Sequence, residues 1–157
     1  MSVDVGSAAP DFTLPADDGT TISLSSLKGN AVVLYFYPKD DTPGCTAEAC
    51  AFRDSFPDFS GADAKILGIS KDSPASHKKF REKYGLNFPL LSDEKSDACE
   101  RYGAWKEKSM YGKKYMGIDR STFLIDRTGK IHRVWKNVKV DDHAAEVLEA
   151  VRGLKRL

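Results

Sequence analysis

The chain has 157 residues, of which 41% are apolar and 30% are charged. This length and composition are typical of one globular domain and exclude a disordered chain. The net charge is only +1, from 24 basic and 23 acidic side chains, which argues against nucleic acid as a partner. No apolar run reaches the roughly 20 residues of a membrane span, and the first residues lack the basic and apolar regions of a secretory signal. We therefore expect one cytoplasmic domain, residues 1–157, that does not bind a membrane.

The predicted elements alternate between strands and helices. Short strands at residues 11–14 and 21–24 flank a turn at Asp18-Gly19, and the apolar run AVVLYFY at 31–37 predicts a strand buried on both faces. The remaining predicted strands are 65–70, 88–91 and a hairpin of 121–126 with 130–135. The predicted helices are 43–56, 74–84 capped by Ser73, 95–102, and 143–152 capped by Asp142. Residues 106–114, KEKSMYGKK, are predicted to be a solvated loop.

This order of elements predicts an α/β fold with a mixed central sheet. Strand–helix–strand units give parallel neighbours through right-handed crossovers, and the terminal hairpin adds antiparallel strands. The outline, with helices on both faces and an N-terminal hairpin, is compatible with a thioredoxin-like fold. A fold by itself does not establish a function.

The three cysteines, Cys45, Cys50 and Cys99, are the main chemical signal. Without a secretory signal, a reducing compartment is expected, where cysteines are more often reactive or metal-binding than structural. The three histidines stand singly, there is no C-x-x-C spacing, and Arg53 occupies the position where a plant-type iron–sulfur pattern needs its third cysteine. We therefore expect no metal and no other cofactor, and interpret the histidines as ordinary structural or surface residues.

Cys45 is predicted to lie in the first turn of the helix at 43–56, directly after a buried strand. Thr42 followed by Pro43 is a strong helix start, with an N-cap residue before proline at the first helical position. The unpaired N–H groups and the positive end of the helix dipole at such a start favour an anion, and the thiolate is the nucleophilic form of cysteine. A reactive cysteine is therefore predicted, with a small buried core residue as the structural alternative.

An apolar stripe along the same helix predicts which way it faces. Its members are spaced by four, three, four and three positions: Cys45, Ala49, Phe52, Phe56 and Phe59. This stripe is expected to face the sheet. Cys50 is rotated by about 140° from Cys45, so it is either a functional partner or an incidental thiol at the edge. Cys99 shares a helical face with Ala98 and Tyr102 and is interpreted as a core cysteine.

Residues 38–50, PKDDTPGCTAEAC, resemble the active-site motif of the peroxiredoxins. The pattern Pro38-x-x-x-Thr42-x-x-Cys45 carries the resemblance, and the second cysteine five positions later is similar to the peroxiredoxin Q, or bacterioferritin comigratory protein, subfamily. The similar segments extend over nearly the whole chain: APDF at 9–12, ILGIS at 66–70, NFPLLSD at 87–93 and YGKKYMGIDRSTFLID at 111–126. The last of these supplies Arg120, which matches the active-site arginine of the family.

The resemblance implies a thiol-dependent peroxidase that reduces hydrogen peroxide and organic hydroperoxides. Cys45 would be the peroxidatic cysteine, which becomes a sulfenic acid, and Cys50 the resolving cysteine, which condenses with it to an intrachain disulfide. Arg120 would stabilise the thiolate and the negative charge that develops on the leaving oxygen. Thr42 and Gly44 would bind the peroxide together with Cys45 and Arg120.

Two further residues receive supporting roles from the resemblance. Pro38 would shield the thiolate from water, and Glu48 would hold Arg120 in place. Residue patterns alone allow simpler roles for two members of the motif, since Thr42 could be only a helix cap and Pro38 only a strand terminator.

The resemblance also implies thioredoxin or a similar dithiol as reductant. A monomer is expected, because no C-terminal extension carries another cysteine.

Two other functions remain open from the sequence. A thioredoxin-type thiol–disulfide oxidoreductase fits the outline, but the cysteines are spaced C-x₄-C rather than C-x-x-C, and residues 119–122 lack the proline that thioredoxins place opposite their dithiol. A non-enzymatic redox sensor or binding module would use the surface at 106–114, for which a solvated loop is the simpler interpretation.

Overall fold

A computed structural model describes residues 3–154 of the chain, so the ends of the predicted 1–157 domain lie outside the described residues. The strands are β1 (Thr13–Pro15), β2 (Thr21–Ser23), β3 (Ala31–Phe36), β4 (Ala64–Ser70), β5 (Leu90–Ser92), β6 (Trp105–Met110), β7 (Lys113–Ile118), β8 (Ser121–Ile125) and β9 (Ile131–Trp135). The helices are α1 (Pro43–Gly61), α2 (Pro74–Tyr84), α3 (Ala98–Arg101) and α4 (His143–Arg152), with a short 3₁₀ helix at Leu24–Leu27.

The central sheet has five strands in the order β5-β4-β3-β8-β9. The pairs β3–β4 and β4–β5 are parallel, whereas β8 is antiparallel to both β3 and β9. This is the mixed sheet that the sequence predicts. The strand β3 lies at the centre and all six of its residues are buried, as the continuous apolar run indicates.

Alternate residues of β3 face two separate cores, as the side-chain period of a strand requires. Ala31, Val33 and Tyr35 pack in a core with α1, α2 and α4. Val32 and Leu34 pack on the other face, in a core with α3 and the N-terminal strands. The prediction of helices on both faces is confirmed, although the second face is covered mainly by short elements.

Helix α1 continues through Pro57, so its predicted end at residue 56 is wrong. A proline inside a helix removes the hydrogen bond to the carbonyl four residues earlier. Here that carbonyl belongs to Arg53 and accepts a hydrogen bond from Asn87 Nδ2 at 3.2 Å instead. The partner is distant in sequence, which is why the local pattern could not reveal it.

The predicted loop at 106–114 is instead the hairpin β6–β7, whose pairing runs from Trp105–Ile118 to Met110–Lys113. Its turn residues Tyr111 and Gly112 both have positive φ, as hairpin turns require. Nearly all of its side chains are exposed or half-exposed, so there is no apolar alternation from which a strand could be predicted.

The predicted helix caps have different outcomes. Ser73 caps α2 as expected, since its Oγ accepts a hydrogen bond from the Ser76 N–H. Asp142 precedes α4 with a positive φ and, among the described residues, makes no side-chain capping bond. Helix α3 is shorter than the predicted 95–102 and begins at Ala98, where the Asp93 carboxylate accepts the N–H groups of Ala98 and Cys99 and so caps the helix start.

Candidate active site

Cys45 lies in the first turn of α1, just beyond the carboxyl end of the central strand β3. The first hydrogen bond of the helix runs from the Thr46 N–H to the Thr42 carbonyl at 2.8 Å. The N–H groups of Gly44 and Cys45 precede it and have no carbonyl partner within the helix. Cys45 is only 1% exposed, on the apolar stripe that packs against the sheet. The predicted position and orientation of this residue are therefore confirmed.

Arg120 reaches Cys45 because of the pairing of two neighbouring strands. Residue Ser121 of β8 pairs with Phe36 of β3, so the residue before β8 lies beside the residues that follow β3. Arg120 Nη2 donates a hydrogen bond to Cys45 Sγ at 3.3 Å, across 75 positions of sequence. The Arg120 carbonyl also accepts the Val138 N–H at 2.9 Å, which fixes the backbone from which the side chain extends.

Glu48 lies one helical turn after Cys45 and holds the other branch of the guanidinium. Arg120 Nη1 donates to Glu48 Oε1 at 2.7 Å, and the Glu48 side chain is 1% exposed. Burial raises the pKa of Glu48 to about 7, although the charge of Arg120 and its hydrogen bond act in the opposite direction. Within residues 3–154, Glu48 Oε2 is buried without a hydrogen-bond partner. Arg120 is therefore the group that compensates this carboxylate in its charged form.

Gly44 leaves room for the guanidinium. A Cβ atom at this position would lie 3.1 Å from Arg120 Nη2, closer than ordinary van der Waals contact. A side chain here would push the guanidinium away from Cys45. The sequence analysis assigns Gly44 to peroxide binding, and the structure adds this steric reason for glycine.

Thr42 and Pro38 lie in the loop that joins β3 to α1. Thr42 occupies the N-cap position with extended backbone, but its hydroxyl donates to the Lys39 carbonyl at 2.9 Å. Among the described residues it makes no side-chain capping bond, so the expected cap by the Thr42 side chain is wrong. The bond within the loop replaces it. Pro38 is exposed at the start of the loop, and its shielding role stays a prediction.

Cys50 lies on the same continuous helix as Cys45 and is half-buried, off the apolar stripe. All three cysteines are free thiols in this conformation. Helix geometry separates the Cα atoms of residues five positions apart by about 8.6 Å, whereas a disulfide needs about 7 Å or less. The two thiols therefore cannot bond while α1 stays intact to its first turn.

Cys99 lies far from this chemistry, in the second core. It is fully buried, its N–H donates to Asp93 Oδ2 at 2.7 Å, and burial raises the pKa of its thiol well above the ordinary range. This agrees with its interpretation as a core cysteine.

The sequence analysis missed one buried polar cluster next to the site. The cluster consists of Asp40, Asp72 and His77. Among the described residues, it is the one group of three side chains whose potential metal-binding atoms all lie within 4.8 Å of each other. The three side chains are hydrogen-bonded within a network. Asp40 belongs to the Cys45 motif, but its partner His77 is 37 positions away, and no local spacing connects them.

Comparison with known proteins identifies the family. Residues 5–134 match the model of the AhpC/TSA family. The chain belongs to the AhpC/TSA family. It is 51% identical over 154 residues to peroxiredoxin Bcp of Bacillus subtilis, with 98% of each chain covered. It is 48% identical over 143 residues to peroxiredoxin Bcp of Escherichia coli, covering 91% of this chain and 92% of the relative.

A solved structure of the bacterioferritin comigratory protein of Xanthomonas campestris is similar throughout. Its TM-score is 0.89 at 44% identity, with 95% of this chain and 98% of that chain covered. The AhpC/TSA chain described here is thus a thioredoxin-fold peroxiredoxin, an enzyme that reduces a peroxide with a thiol reductant. This family membership supports the peroxidase over the thiol–disulfide oxidoreductase and redox-sensor alternatives.

No helix within residues 3–154 has the length and apolar character needed to cross a membrane.

The replacement Cys99→Ser tests the separation of Cys99 from the reaction. We expect nearly unchanged peroxidase turnover and a loss of about 1–3 kcal/mol in the free energy of unfolding, because a hydroxyl replaces a thiol in an apolar core. Steady-state turnover and denaturant unfolding measure the two quantities. A collapse of turnover in a folded variant would mean that Cys99, rather than Cys50, takes part in resolution.

Proposed function

We propose that Cys45 is the peroxidatic cysteine and that the site reduces hydrogen peroxide and organic hydroperoxides. The observation that carries this assignment is the 3.3 Å contact between Cys45 Sγ and Arg120 Nη2, at a helix N-terminus where negative charge is favoured. The similar Xanthomonas campestris protein has been studied for alkyl peroxide reduction, which supports organic hydroperoxides as substrates here.

The proposed first step is attack of the Cys45 thiolate on one oxygen of the peroxide. An S–O bond forms as the O–O bond breaks, and the leaving oxygen takes up a proton to depart as water or an alcohol. Cys45 is oxidised to sulfenic acid and the peroxide is reduced by two electrons. Arg120 and the N–H groups of Gly44 and Cys45 stabilise the charge that develops on the leaving oxygen.

The supporting residues are assigned from their contacts. Glu48 orients Arg120 through the 2.7 Å ion pair, and Gly44 leaves space for the guanidinium. The Thr42 hydroxyl donates to Lys39, so its oxygen retains lone pairs that can accept the hydroxyl of a bound peroxide. The role of Pro38 in limiting the access of water to the thiolate is proposed from the resemblance alone, since its side chain is exposed.

The second proposed step is attack of the Cys50 thiol on the sulfenic sulfur of Cys45. An S–S bond forms and the sulfenic oxygen leaves as water. Thioredoxin, or a similar dithiol protein, then reduces the disulfide. We further propose that the protein works as a single-domain monomer in the cytoplasm, since the two reacting cysteines lie in one chain.

The decisive experiment measures thioredoxin-coupled peroxide consumption by the wild type and by Cys45→Ser. We expect no turnover by Cys45→Ser, because the serine hydroxyl cannot replace the thiolate as the nucleophile that attacks the peroxide. The matched control is Cys50→Ser, which should still consume one equivalent of peroxide in a single turnover. Retained turnover in Cys45→Ser would contradict the assignment.

Replacing Arg120 with alanine tests the charge beside the thiol. We expect Arg120→Ala to slow oxidation of Cys45 by well over tenfold, because an electrostatic donor of this kind contributes about 3–4 kcal/mol to transition-state stabilisation. Stopped-flow oxidation by hydrogen peroxide measures the rate. The control is Arg133→Ala, which removes an exposed arginine of β9 paired with Glu146. An unchanged rate in Arg120→Ala would remove Arg120 from the mechanism.

Formation of the disulfide requires a change in α1, which amide hydrogen exchange can detect. We expect residues 42–50 to lose protection on oxidation and to regain it on reduction, because an intact helix keeps the two cysteines too far apart. Cys50→Ser should stall at the sulfenic acid and keep its protection. Equal protection in the reduced protein and in protein with the Cys45–Cys50 disulfide would refute local unwinding.

A further inference from the structure

The hairpin β6–β7 carries most of the large apolar side chains that are exposed on the described part of the chain. Met110, Tyr111, Tyr115 and Met116 are between 44% and 98% exposed, and the one other such side chain among residues 3–154 is Val5. Single exposed apolar residues are ordinary on a protein surface, but a cluster of them marks an interaction site. Tyrosine and methionine are also enriched at protein–protein interfaces.

The turn of this hairpin contains a residue that strains it. Tyr111 and Gly112 are the two central residues of the turn, and both have positive φ. Asparagine, aspartate or glycine is favoured at the first of these positions, because a bulky side chain strains left-handed backbone. Tyr111 is nevertheless 98% exposed, so packing within the protein does not compensate the strain. An outlier of this kind indicates a role outside the fold.

One face of the hairpin is basic as well as apolar. Side chains alternate along a strand, and directly paired residues share a face. The face that we call the lysine face consists of Lys106, Lys108 and Met110 of β6 with Lys113, Tyr115 and Gly117 of β7. Lys106 Nζ lies 3.4 Å from Asp119 Oδ2. Lys108 and Lys113 form no ion pair with any side chain of residues 3–154, so their charges are available to a partner.

Gly117 gives room to two members of the lysine face. A Cβ atom at this position would lie 3.3 Å from Lys108 Cδ and 3.4 Å from Tyr115 Cε2. The lysine stem and the tyrosine ring therefore lie over Gly117, towards the end of the hairpin that leads to Arg120. They place an aromatic ring beside an ammonium group at the end of the hairpin nearest the candidate site.

The hairpin is positively charged, whereas the rest of the chain is slightly negative. Residues 105–118 contain four lysines and one glutamate, a net charge of +3, and the whole chain carries +1, which leaves −2 for the remainder. Two such hairpins repel each other, which disfavours a second copy of this chain as the occupant of the surface. The charge is complementary to an acidic partner, and such complementarity speeds the encounter of two proteins.

The reductant of the proposed function must bind around the two cysteines of α1. Its thiolate attacks one sulfur of the Cys45–Cys50 disulfide, and a mixed disulfide forms as the other sulfur leaves as a thiol. The second thiol of the reductant then attacks this mixed disulfide, which leaves two thiols on the enzyme and a disulfide on the partner. Because sulfur atoms of the two proteins bond directly, the surface around the partner's dithiol must cover the surface around residues 42–50.

The near end of the hairpin lies within reach of that footprint. A standard interface covers about 800 Å² on each protein, a patch about 16 Å in radius. Arg120 contacts Cys45, and Tyr115 is only five positions before Arg120, at most about 17 Å along an extended chain. A protein bound at the two cysteines therefore meets the hairpin.

We propose that the lysine face and Tyr111 form the docking surface for an acidic dithiol protein that reduces the enzyme's disulfide. Lys108 and Tyr115 contact the partner close to its dithiol, and Tyr111 contacts it at the tip of the hairpin. The inference rests on the proposed function, since the disulfide is the substrate of this partner. It adds the surface that recognises the reductant and the sign of the charge that the reductant carries.

Two variants remove different parts of the surface. Lys108→Glu combined with Lys113→Glu reverses the two unpaired charges. Tyr111→Asn removes the aromatic ring and introduces a residue that is favoured at positive φ, so the turn should become more stable. The matched control combines Lys65→Glu with Lys130→Glu, which changes the net charge by the same amount. Both of these lysines are exposed and lie at the end of the central sheet away from the site.

The experiment measures peroxide turnover with thioredoxin as reductant and, separately, with dithiothreitol, a small dithiol that needs no docking surface. We expect the Lys108→Glu, Lys113→Glu variant to lower kcat/KM for thioredoxin by roughly tenfold at low salt, because it loses electrostatic steering. Added salt should reduce the difference from the wild type, since it screens exposed charges. The charge-matched control should behave as the wild type does.

Tyr111→Asn separates docking from stability. We expect kcat/KM for thioredoxin to fall roughly fivefold, the effect of losing one interface tyrosine, while the melting temperature stays the same or rises. With dithiothreitol, all variants should turn over at the wild-type rate, and stopped-flow oxidation by hydrogen peroxide should also be unchanged.

Three results would contradict the docking surface. The first is an equal kcat/KM for thioredoxin in the lysine variant and its control. The second is an equal loss with thioredoxin and dithiothreitol, which would mean that the hairpin supports the site itself. The third is self-association of the wild type in sedimentation that Tyr111→Asn abolishes without changing the thioredoxin kinetics, which would assign the surface to a second copy. Only peroxide consumption by Cys45→Ser would refute the proposed function itself.

Discussion

One guanidinium group organises the candidate site. Arg120 contacts a buried carboxylate with one nitrogen and the Cys45 sulfur with the other. Glu48 and Cys45 lie one turn apart on α1, so this fork also ties the start of the helix to the edge of β8. A buried carboxylate is costly to leave uncompensated, and Arg120 therefore stabilises the local structure in addition to the role in charge stabilisation that we propose for it.

The same helix must satisfy two opposed requirements. In the reaction that we propose, its intact N-terminus directs unpaired N–H groups towards the Cys45 sulfur, but Cys50 is too far along an intact helix for a disulfide. The proposed cycle therefore requires a first turn of α1 that opens for disulfide formation and reforms on reduction.

The distal part of α1 is built to stay in place. Phe52 and Phe59 are fully buried in the core, and Phe52 stacks on Tyr35 of β3 with ring centroids 4.9 Å apart. Asn87 compensates the carbonyl that Pro57 leaves without a helical donor. Anchoring of this kind would confine the proposed unwinding to the turns that carry the two cysteines and keep the core covered.

The sequence by itself determined the features that depend on local periodicity and residue type. The buried run at 31–37, the helix start at Thr42-Pro43 and the stripe that turns Cys45 inward all follow from the spacing of neighbouring residues. Arg120 and Glu48 were assigned through the resemblance of short motifs. Only the tertiary structure decided which distant groups meet: the Asn87 contact that carries α1 through Pro57, and the pairing of His77 with Asp40. These contacts depend on strand order and helix placement, which bring together side chains that share no period along the chain. The exposed hairpin β6–β7 was missed for a related reason, since strands without a buried face leave no apolar alternation in the sequence.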